Sequence, residues 1–363
     1  MLNFHPLKVT SVERVAEDAA CVMLEIPPAL SDAYAFRAGQ YVTVRRRIGE
    51  REERRTYSIV TRPGHGVLKL GVRTQTGGRM SGELGNKLRA GDWLDVGTPM
   101  GRFHTAIDAA RELSYVAFAA GSGITPILSL AAEVLAREPG SRFTLIYGNR
   151  SIARTMFMEE TQALKNRYID RFAVHFVMSR EPQQTQWLNG RIDGAKVREL
   201  AQRLAEIAAA DEYLICGPGN MVDEVRTALK ALNDNAPIRF ERFAAADASA
   251  GAGPPPLSQA AGSASRPQDV LATISVVMDG RRRSFPMSSG DASVLDAAER
   301  AGLELPFSCR SGICATCRAR ITHGAAVMTH NIALEPWETE AGFVLCCQAR
   351  PTTGTLDISY DHK

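Results

Sequence analysis

Residues 309–317 read Cys-Arg-Ser-Gly-Ile-Cys-Ala-Thr-Cys, which places three cysteines in the spacing C-x4-C-x2-C. A fourth cysteine, Cys347, follows later in the chain, directly after Cys346. Five of the seven cysteines lie between Cys309 and Cys347, and the first residues show no secretory signal pattern. Cysteines clustered in this way are typical of metal ligands rather than of a disulfide framework.

The same spacing, with a distant fourth cysteine, occurs in plant-type [2Fe–2S] sites, where four thiolates hold two irons. Ser311, Gly312 and Ala315 are small, so that the loop between the cysteines can bring its backbone N–H groups close to the sulfur atoms. The alternative is structural zinc, which usually takes two C-x2-C pairs or cysteines with histidines, whereas one such pair stands here. We therefore predict a cluster rather than zinc. The predicted ligands are Cys309, Cys314, Cys317 and Cys347.

The preference for Cys347 over Cys346 rests on a resemblance. Residues 345–351, LCCQARP, resemble the ferredoxin pattern in which the last ligand is followed by a short stretch and a proline turn. The resemblance implies that Cys347 is the ligand and that Cys346 fills a position like that of a Ser or Thr. The exposed face of the cluster loop, residues 310–313, is then predicted to contact the electron acceptor.

The chain upstream of this motif divides by composition. Residues 244–266 contain one large apolar residue and no aromatic residue, so we predict a flexible linker over residues 244–268. A ferredoxin domain is predicted over residues 269–363, with a hairpin at Asp279-Gly280 and a helical stretch at residues 293–301. The ferredoxin resemblance implies an α+β, β-grasp fold for it.

The first two thirds of the chain change character near residue 107. Residues 1–106 contain short apolar runs separated by Pro and Gly, which predicts an antiparallel β-barrel. In residues 107–243, continuous apolar strands such as residues 115–120 alternate with helical patterns such as residues 127–137. This alternation predicts an α/β domain with a parallel sheet.

Arg55-Thr56-Tyr57-Ser58, on a strand of the predicted barrel, resembles the R-x-Y-S flavin signature of the ferredoxin–NADP reductase superfamily. The resemblance implies that Arg55 neutralises a flavin phosphate, that Tyr57 packs on the isoalloxazine ring and that Ser58 lies near N5 as a catalytic residue. The alternative is an aromatic side chain packed across the strands beside an exposed arginine.

Residues 77–81, Gly-Gly-Arg-Met-Ser, follow as a glycine turn that opens a helix, where free backbone N–H groups suit a pyrophosphate. The predicted contacts are Gly78, Met80 and Ser81. Residues 99–103 resemble the turn that closes the barrel in this superfamily. Together these motifs predict a flavin, FAD in preference to FMN.

The second domain carries Gly121-Ser122-Gly123-Ile124-Thr125-Pro126 after its first strand. Its glycines permit a tight turn into a helix whose dipole faces dinucleotide phosphates. The predicted contacts are Gly121, Gly123 and Thr125.

Cys216-Gly217-Pro218, at the end of a later strand, resembles the C-G-P motif of the superfamily. The resemblance implies that Cys216 and Gly217 bind the nicotinamide and that Cys216 lies beside C4 as a catalytic residue. A buried structural cysteine is the alternative. Phe243 either covers the flavin face or is a core aromatic residue.

Two arginines after predicted strands indicate which nicotinamide cofactor is used. Arg150 follows one strand, and Ser179-Arg180 follows the next. Arginine is the natural partner of a ribose 2′-phosphate, so we predict NADPH rather than NADH. Two solvent-exposed arginines without a ligand are the alternative.

The order of flavin barrel, nicotinamide domain and ferredoxin resembles the reductase components of multicomponent oxygenases. Among these, the sequence most resembles the reductase subunits of ring-1,2-phenylacetyl-CoA epoxidases, in segments such as FHPL (4–7), GNRS (148–151) and LEP (334–336). The resemblance implies electron transfer to the diiron oxygenase subunits of such an epoxidase. Alternative acceptors are a Rieske ring-hydroxylating oxygenase and a steroid hydroxylase. A redox-sensing protein is a further alternative, but no DNA-binding or effector module is apparent.

Composition argues against other function classes. The formal net charge is +3 and no dense basic stripe appears, so no nucleic acid is expected as a partner. No apolar run approaches the length of a membrane span, and we expect a cytoplasmic protein. The basic run at residues 45–47 and 54–55 is mixed with glutamates, which predicts a solvated hairpin tip for all but Arg55.

Overall fold

The computed structural model describes residues 3–243 and 270–361. The described residues fall into two compact units, one from Phe4 to Phe243 and one from Val270 onward, and each is described by itself. The predicted linker, residues 244–268, lies outside the described residues.

Six antiparallel strands form the first part of the N-terminal unit. They are β1 (Phe4–Ala16), β2 (Ala19–Glu25), β3 (Tyr41–Ile48), β4 (Arg51–Ser58), β5 (Val67–Arg73) and β6 (Trp93–Gly97), with helix α1 (Arg79–Gly82) between the last two. The strand order is β4-β3-β6-β1-β2-β5, and a bridge between Ile59 and Leu70 joins the two outer strands. The predicted antiparallel barrel is therefore confirmed.

The β3–β4 hairpin carries the basic run. Arg45 pairs with Arg54 across the strands, and their guanidinium groups lie 4.2 Å and 5.2 Å from the centroid of the Phe4 ring. Arg54 is only 7% exposed and pairs with Glu52. The expectation of a solvated tip is thus wrong for Arg54, because its planar cation packs on an aromatic face that sequence periodicity does not reveal.

The second part of this unit is a parallel sheet covered on both faces. Its strands are β7 (Ser114–Ala120), β8 (Arg142–Asn149), β9 (Phe172–Met178), β10 (Glu212–Pro218) and β11 (Ile238–Phe243), in the order β11-β10-β7-β8-β9. Its helices are α2 (Ile124–Arg137), α3 (Met158–Arg167), α4 (Gly194–Ala201), α5 (Ala205–Ala208) and α6 (Gly219–Leu232). Alternate residues of β7 enter two different hydrophobic clusters, which explains its unbroken apolar sequence. The predicted α/β fold is confirmed.

The barrel and the parallel sheet pack against each other. Asp18, in the β1–β2 turn, accepts hydrogen bonds from Arg73 of the barrel and from Arg154 after β8. Arg62, beyond β4, pairs with Glu133 of α2 at 2.9 Å. These ion pairs hold the two domains of the unit in one arrangement.

The C-terminal unit is a mixed sheet with two helices. Its strands are β12 (Val270–Met278), β13 (Arg281–Ser288), β14 (Arg318–His323), β15 (Ala326–Met328), β16 (Phe343–Leu345), β17 (Ala349–Pro351) and β18 (Thr355–Ser359), and its helices are α7 (Val294–Arg300) and α8 (Pro336–Glu340). The main sheet has the order β13-β12-β18-β14-β16, in which β12 and β18 are parallel, and β15 pairs with β17. The α+β, β-grasp prediction is confirmed.

Two local sequence signals explain how this unit begins. Asp279 and Gly280 have φ of 51° and 71°, the left-handed pair that a two-residue type I′ hairpin requires. Ser293 caps α7, because its hydroxyl accepts the N–H of Asp296. Both the predicted hairpin and the predicted helix are present.

The longest α-helices of the described residues, α2 and α6, have 14 residues each. Within the described ranges, no helix is long and apolar enough to cross a membrane.

Candidate cofactor sites

The R-x-Y-S residues lie at the end of β4. Arg55 is exposed, Tyr57 is half-buried and Ser58 is buried. Burial raises the pKa of the Tyr57 hydroxyl above its ordinary value, and the nearby Arg55 opposes the rise. Because side chains alternate along a strand, Arg55 and Tyr57 project to one side and Ser58 to the other.

The glycine turn precedes α1 and is held by Ser81. The Ser81 hydroxyl accepts the N–H of Gln75 at 3.1 Å, and a Cβ on Gly78 would lie 2.4 Å from Ser81 Oγ. Gly78 is the residue before the first helical turn, whose N–H groups lack partners within the helix. Met80 is 2% exposed and packs in the barrel core, so its side chain does not reach the surface of the turn.

The structure brings these two flavin motifs together through residues that the sequence did not single out. Glu53 lies between Arg55 and Arg79, with oxygen–nitrogen distances of 3.1 Å and 3.3 Å. Two guanidinium groups thus meet beside the glycine turn, an arrangement that suits the two charges of a pyrophosphate. Arg79 was missed because an exposed arginine gives no signal by itself, although its place directly after two glycines was a clue.

The glycine residues of the second domain meet where the neighbouring strands β7 and β10 end. From β7 the chain continues to β8 on one side of this point, and from β10 it continues to β11 on the other side. This is the point at which open parallel sheets bind ligands. A Cβ on Gly123 would lie 2.1 Å from the carbonyl oxygen of Cys216, and one on Gly217 would lie 2.7 Å from Met221 Sδ. Gly121 has φ of 56°. The predicted residues Gly121, Gly123, Cys216 and Gly217 therefore form one tight crevice.

Thr125 and Phe243, the two remaining predicted residues of this domain's motifs, pack against apolar surroundings of this chain. The Thr125 hydroxyl donates to the carbonyl of Ser122, and its methyl group faces Gly71 of the barrel. Thr125 thus belongs to the packing between the two domains. Phe243 ends β11 as a half-buried residue that packs beside the cluster of apolar residues under α2.

A buried carboxyl group, Glu241, stands at the junction of barrel and crevice. It lies directly opposite Cys216 in the β10–β11 register, and Ser58 interacts with it from the barrel. Burial raises the pKa of Glu241 from 4.5 to about 8, against a smaller opposing effect of the Ser58 hydroxyl. Burial also raises the pKa of the Cys216 thiol well above its ordinary value, and Glu241 adds to the rise.

The sequence motifs place Ser58 and Cys216 in separate domains, and the structure joins them through Glu241. Glu241 was missed because its strand reads as an ordinary edge strand. A glutamate two residues before the predicted Phe243 was the available signal. Perturbed titratable groups gathered in a crevice are characteristic of functional sites.

The predicted 2′-phosphate residues lie on two adjacent strand ends. The N–H of Ser179 donates to the carbonyl of Asn149, and the N–H of Arg180 donates to that of Arg150, both at 2.9 Å. Arg150 and Arg180 are exposed, so both guanidinium groups are accessible. Glu181 lies beside them, and its carboxylate accepts the N–H of Ile152 at 2.9 Å.

The four cysteines of the C-terminal motif are arranged as two pairs. The Cys314 thiol donates to Cys309, and the Cys317 thiol donates to Cys347. The N–H groups of Ser311 and Cys314 each point at Cys309 Sγ from 3.4 Å. Hydrogen bonding from the Cys314 thiol, and then from Ser311, lowers the pKa of Cys309 to about 5 despite its burial.

This pairing fits a binuclear cluster better than zinc. A structural zinc ion requires four ligands around one point, whereas two irons require two thiolates each. Arg310, Gly312 and Ala315 have φ of 55°, 75° and 52°, a left-handed loop that turns backbone N–H groups toward sulfur.

The two adjacent cysteines differ in surroundings. Cys346 is 0% exposed, packs in the core of the unit and faces the buried hydroxyl of Tyr360. Burial raises the pKa of Cys346 to about 12. Cys347 instead faces Cys317, and its sulfur atom accepts a hydrogen bond from the side-chain amide of Gln348.

Three known domain families match the chain in succession. The oxidoreductase FAD-binding domain matches residues 6–105, the oxidoreductase NAD-binding domain residues 118–227, and the 2Fe-2S iron-sulfur cluster binding domain residues 276–352. The protein therefore uses FAD, a pyridine nucleotide and a [2Fe–2S] cluster.

Relatives with the same domain order match nearly the whole chain. One of the subunits of 1,2-phenylacetyl-CoA epoxidase from Escherichia coli (strain K12) is 38% identical, over 100% of this chain and 99% of its own length. The ferredoxin reductase component of 3-ketosteroid-9-alpha-monooxygenase from Rhodococcus rhodochrous is 30% identical, over 98% of this chain and 96% of its own.

A solved structure shares the fold. Phthalate dioxygenase reductase, a modular structure for electron transfer from pyridine nucleotides to [2Fe–2S], aligns over 98% of both chains with a TM-score of 0.57 and 22% identity. The full-length identity to the Escherichia coli protein is the stronger finding, because it covers all three domains. The chain therefore belongs to the family of FAD- and [2Fe–2S]-containing reductase components of oxygenases that includes this protein of the 1,2-phenylacetyl-CoA epoxidase.

Proposed function

We propose that this chain passes electrons from NADPH, one at a time, to the diiron oxygenase subunits of a phenylacetyl-CoA epoxidase. The observation that carries the proposal is the 38% identity to a protein of the Escherichia coli epoxidase along the entire chain. Segments that bind no cofactor take part in that alignment, so the similarity extends beyond the common cofactor motifs. The proposal includes a cytoplasmic location, which suits seven cysteines that form no disulfide.

Flavin and cluster together supply the conversion of a two-electron donor into single electrons, and the protein supplies their positions. We assign the flavin phosphates to Arg55, Arg79 and the turn at Gly78 and Ser81, since these groups converge on one surface. Tyr57 offers the ring that packs on the isoalloxazine. Phe243, two residues after Glu241 on β11, is the candidate aromatic on the opposite face.

The hydride donor is assigned to the crevice of Gly121, Gly123, Cys216 and Gly217. The absence of a side chain at Gly123 lets the turn after β7 pack directly against the backbone of Cys216, where a Cβ would lie 2.1 Å from the carbonyl oxygen. Glu241 lies beside Ser58, and burial raises its pKa to about 8, which favours its neutral form. A neutral group there avoids adding charge to a low-dielectric site.

The preference for NADPH rests on Arg150 and Arg180, which emerge side by side from β8 and β9. Ser179 adds a hydroxyl at the same strand end. The nearby Glu181 is engaged with the N–H of Ile152, so that its carboxylate is directed at this chain's own backbone. Charge-assisted bonds from the two arginines would favour the 2′-phosphate of NADPH over the hydroxyl of NADH.

The cluster is assigned to Cys309, Cys314, Cys317 and Cys347, with one hydrogen-bonded thiol pair for each iron. Arg310 is less suited to binding an acceptor than its sequence position implies. Its guanidinium pairs with Asp296 and Glu299 of α7. We therefore propose that the neighbouring Ser311 and Ile313, rather than Arg310, contact the electron acceptor.

Reconstitution tests the proposed acceptor directly. Purified full-length protein is mixed with the catalytic diiron subunits from the same organism, NADPH, O2 and phenylacetyl-CoA, and epoxide-derived product is measured. We expect product in proportion to NADPH consumed. Turnover with a Rieske oxygenase and none with the epoxidase subunits would leave only the general reductase assignment.

A steroid monooxygenase is the second candidate acceptor, because a reductase component of 3-ketosteroid-9-alpha-monooxygenase is 30% identical over 98% of this chain. The same reconstitution, carried out with a 3-ketosteroid and its oxygenase, distinguishes the two. We expect the epoxidase subunits to be reduced faster, since the identity to the epoxidase relative is higher over the same length.

Modularity is tested by truncation. We propose the boundaries 1–106, 107–243, 244–268 and 269–363 for barrel, nicotinamide domain, linker and ferredoxin domain. A chain that ends at residue 250 should retain FAD and reduce ferricyanide with NADPH, but should reduce cytochrome c more slowly than the full-length protein. Equal cytochrome c rates would place the cluster off the electron path.

A further inference from the structure

Gln348 connects the two segments that carry the cysteine motif. Its side-chain nitrogen donates to the carbonyl of Arg310 at 2.8 Å and to Cys347 Sγ at 3.7 Å. The carbonyl acceptor decides the orientation of the amide, because only the nitrogen can donate to it. The residue is 8% exposed, and a buried amide is costly unless its hydrogen bonds are made.

The backbone of Gln348 restricts where this side chain can point. Its N–H donates to the carbonyl of Leu345 at 2.8 Å, and its carbonyl accepts the N–H of Thr329 at 3.1 Å. Its Cγ lies close to Gly312, where an added Cβ would be 3.3 Å away. The two backbone hydrogen bonds and the contact with Gly312 therefore fix the position of the Gln348 side chain next to the cysteine loop.

Arg310, whose carbonyl oxygen accepts the hydrogen bond from Gln348, has an unfavourable backbone conformation. Its φ of 55° is uncommon for a residue with a side chain and must be maintained by its surroundings. Gln348 holds its carbonyl, and Asp296 and Glu299 hold its guanidinium. The contact from Gln348 thus acts both on the loop and on a sulfur atom.

We propose that Gln348 is a positioning residue that raises the reduction potential of the [2Fe–2S] cluster by directing its amide N–H at Cys347. This inference rests on the proposed function, in which Cys347 is a ligand. Reduction of the cluster adds one electron, supplied by the flavin, and transfers no atom. A hydrogen-bond donor at a ligand sulfur stabilises the added negative charge and so makes the potential more positive.

The test is a redox titration of the full-length holoenzyme, followed by electron paramagnetic resonance of the reduced cluster. Gln348→Met retains an unbranched side chain of similar length without a donor. Gln348→Glu retains the length and replaces the donor by a carboxylate. We expect the midpoint potential to fall in the order wild type, Gln348→Met, Gln348→Glu, with shifted resonance signals.

Asn331→Ala provides the matched control. The Asn331 amide lies in the loop over the cysteines and bonds with Leu334 in both directions, at 2.9 Å and 3.1 Å. Loss of this amide should lower stability and leave the potential unchanged. If Gln348 had a purely structural role, Gln348→Met and Gln348→Glu would likewise lower stability and leave the reduction potential unchanged.

The outcomes separate this inference from the proposed function. Unchanged potentials in both Gln348 variants, with the cluster present, would overturn the inference alone. Loss of the cluster from both variants in a folded protein would also overturn it, in favour of a role in cluster assembly. Retention of the cluster in Cys347→Ser would overturn the ligand assignment on which it rests.

Discussion

Three of the four proposed cluster ligands stand within residues 309–317, whereas the polar groups at the flavin–nicotinamide junction come from three strands of two sheets. In the cluster loop, backbone N–H groups of neighbouring residues surround the sulfur atoms. At the junction, Ser58, Cys216 and Glu241 meet only because the barrel packs on the parallel sheet. Short-range spacing therefore specifies the first site, and packing between domains specifies the second.

This difference has a consequence for how each site fails. The cluster site loses its metal when one ligand is changed, since all four thiolates are needed to hold two irons. A site built across two domains loses geometry gradually, because each group is held by a different element. We therefore expect all-or-none effects at the cluster and graded effects at the junction.

The largest expected effect is at Cys347. Cys347→Ser should abolish the visible and paramagnetic signals of the cluster, because one iron loses a thiolate. Cys346→Ser should retain them, since Cys346 packs against Tyr360 in the core. Spectra of the two purified variants distinguish the candidates, and the reverse pattern would show that the ligand assignment is off by one residue.

A graded effect is expected at Ser58. Ser58→Ala should slow reduction of the flavin by NADPH about a hundred-fold, the usual cost of a misplaced reacting group. Anaerobic stopped-flow spectroscopy measures this rate separately from later electron transfer. Ser129→Ala, which removes a hydroxyl that donates to Thr61 in the domain packing, is the control. Equal slowing in both variants would mean that only packing is disturbed.

A smaller effect is expected at the 2′-phosphate residues. Arg180→Ala removes a charge-assisted contact of roughly 1.5–3 kcal/mol, so KM for NADPH should rise about ten-fold or more and KM for NADH should hardly move. Steady-state kinetics with ferricyanide measures both. The exposed Arg203 provides a control through Arg203→Ala. A parallel rise for both nucleotides would exclude Arg180 from 2′-phosphate binding.

The buried carboxyl group makes stability depend on pH. Glu241 has a pKa of about 8 in the folded protein and 4.5 as its ordinary value, so between these values the folded state holds a proton that the unfolded state has lost. Its stabilising contribution is complete below pH 4.5 and is lost as the pH rises to about 8. Urea midpoints of wild type and Glu241→Gln should therefore diverge over this interval, with wild type declining more steeply. Parallel curves would contradict the burial of this carboxyl group.

The smallest effects are expected at the cluster loop surface. Arg310→Ala should cost about 0.5–1 kcal/mol of stability in the C-terminal unit, because two partly exposed ion pairs are lost. Ile313→Ser should leave stability unchanged and slow electron transfer to the oxygenase while ferricyanide reduction is spared. Thermal unfolding and coupled turnover of both variants separate the roles. A turnover defect in Arg310→Ala without a stability change would restore Arg310 to the docking surface.

Much of the architecture could be predicted because it is encoded at short range. The apolar run of β7 predicts a strand covered on both faces, and Asp279-Gly280 predicts a type I′ turn through its left-handed conformations. The C-x4-C-x2-C spacing predicts a cluster, which the family match confirms. In each case, neighbouring residues in sequence are also neighbours in space.

Packing reversed or refined several expectations. Arg54 is buried against Phe4 although the sequence around it is polar, and Met80 turns into the barrel core. Arg310 pairs with α7 rather than facing outward as a free charge. Side-chain direction depends on distant elements in all three, and sequence periodicity carries no information on those elements.

The order of the three domains, the cofactors they hold and the cysteines that are candidates for the cluster all follow from the amino-acid sequence. Three contacts follow only from the packed chain: Glu241 lies beside both Ser58 and Cys216, Glu53 pairs with both Arg55 and Arg79, and Gln348 reaches the cysteine loop. The physical reason is the range of the interactions. Hydrogen-bonding patterns of strands, turns and ligand loops depend on adjacent residues, whereas burial, pKa shifts and ion pairs depend on groups that meet only after the chain has packed.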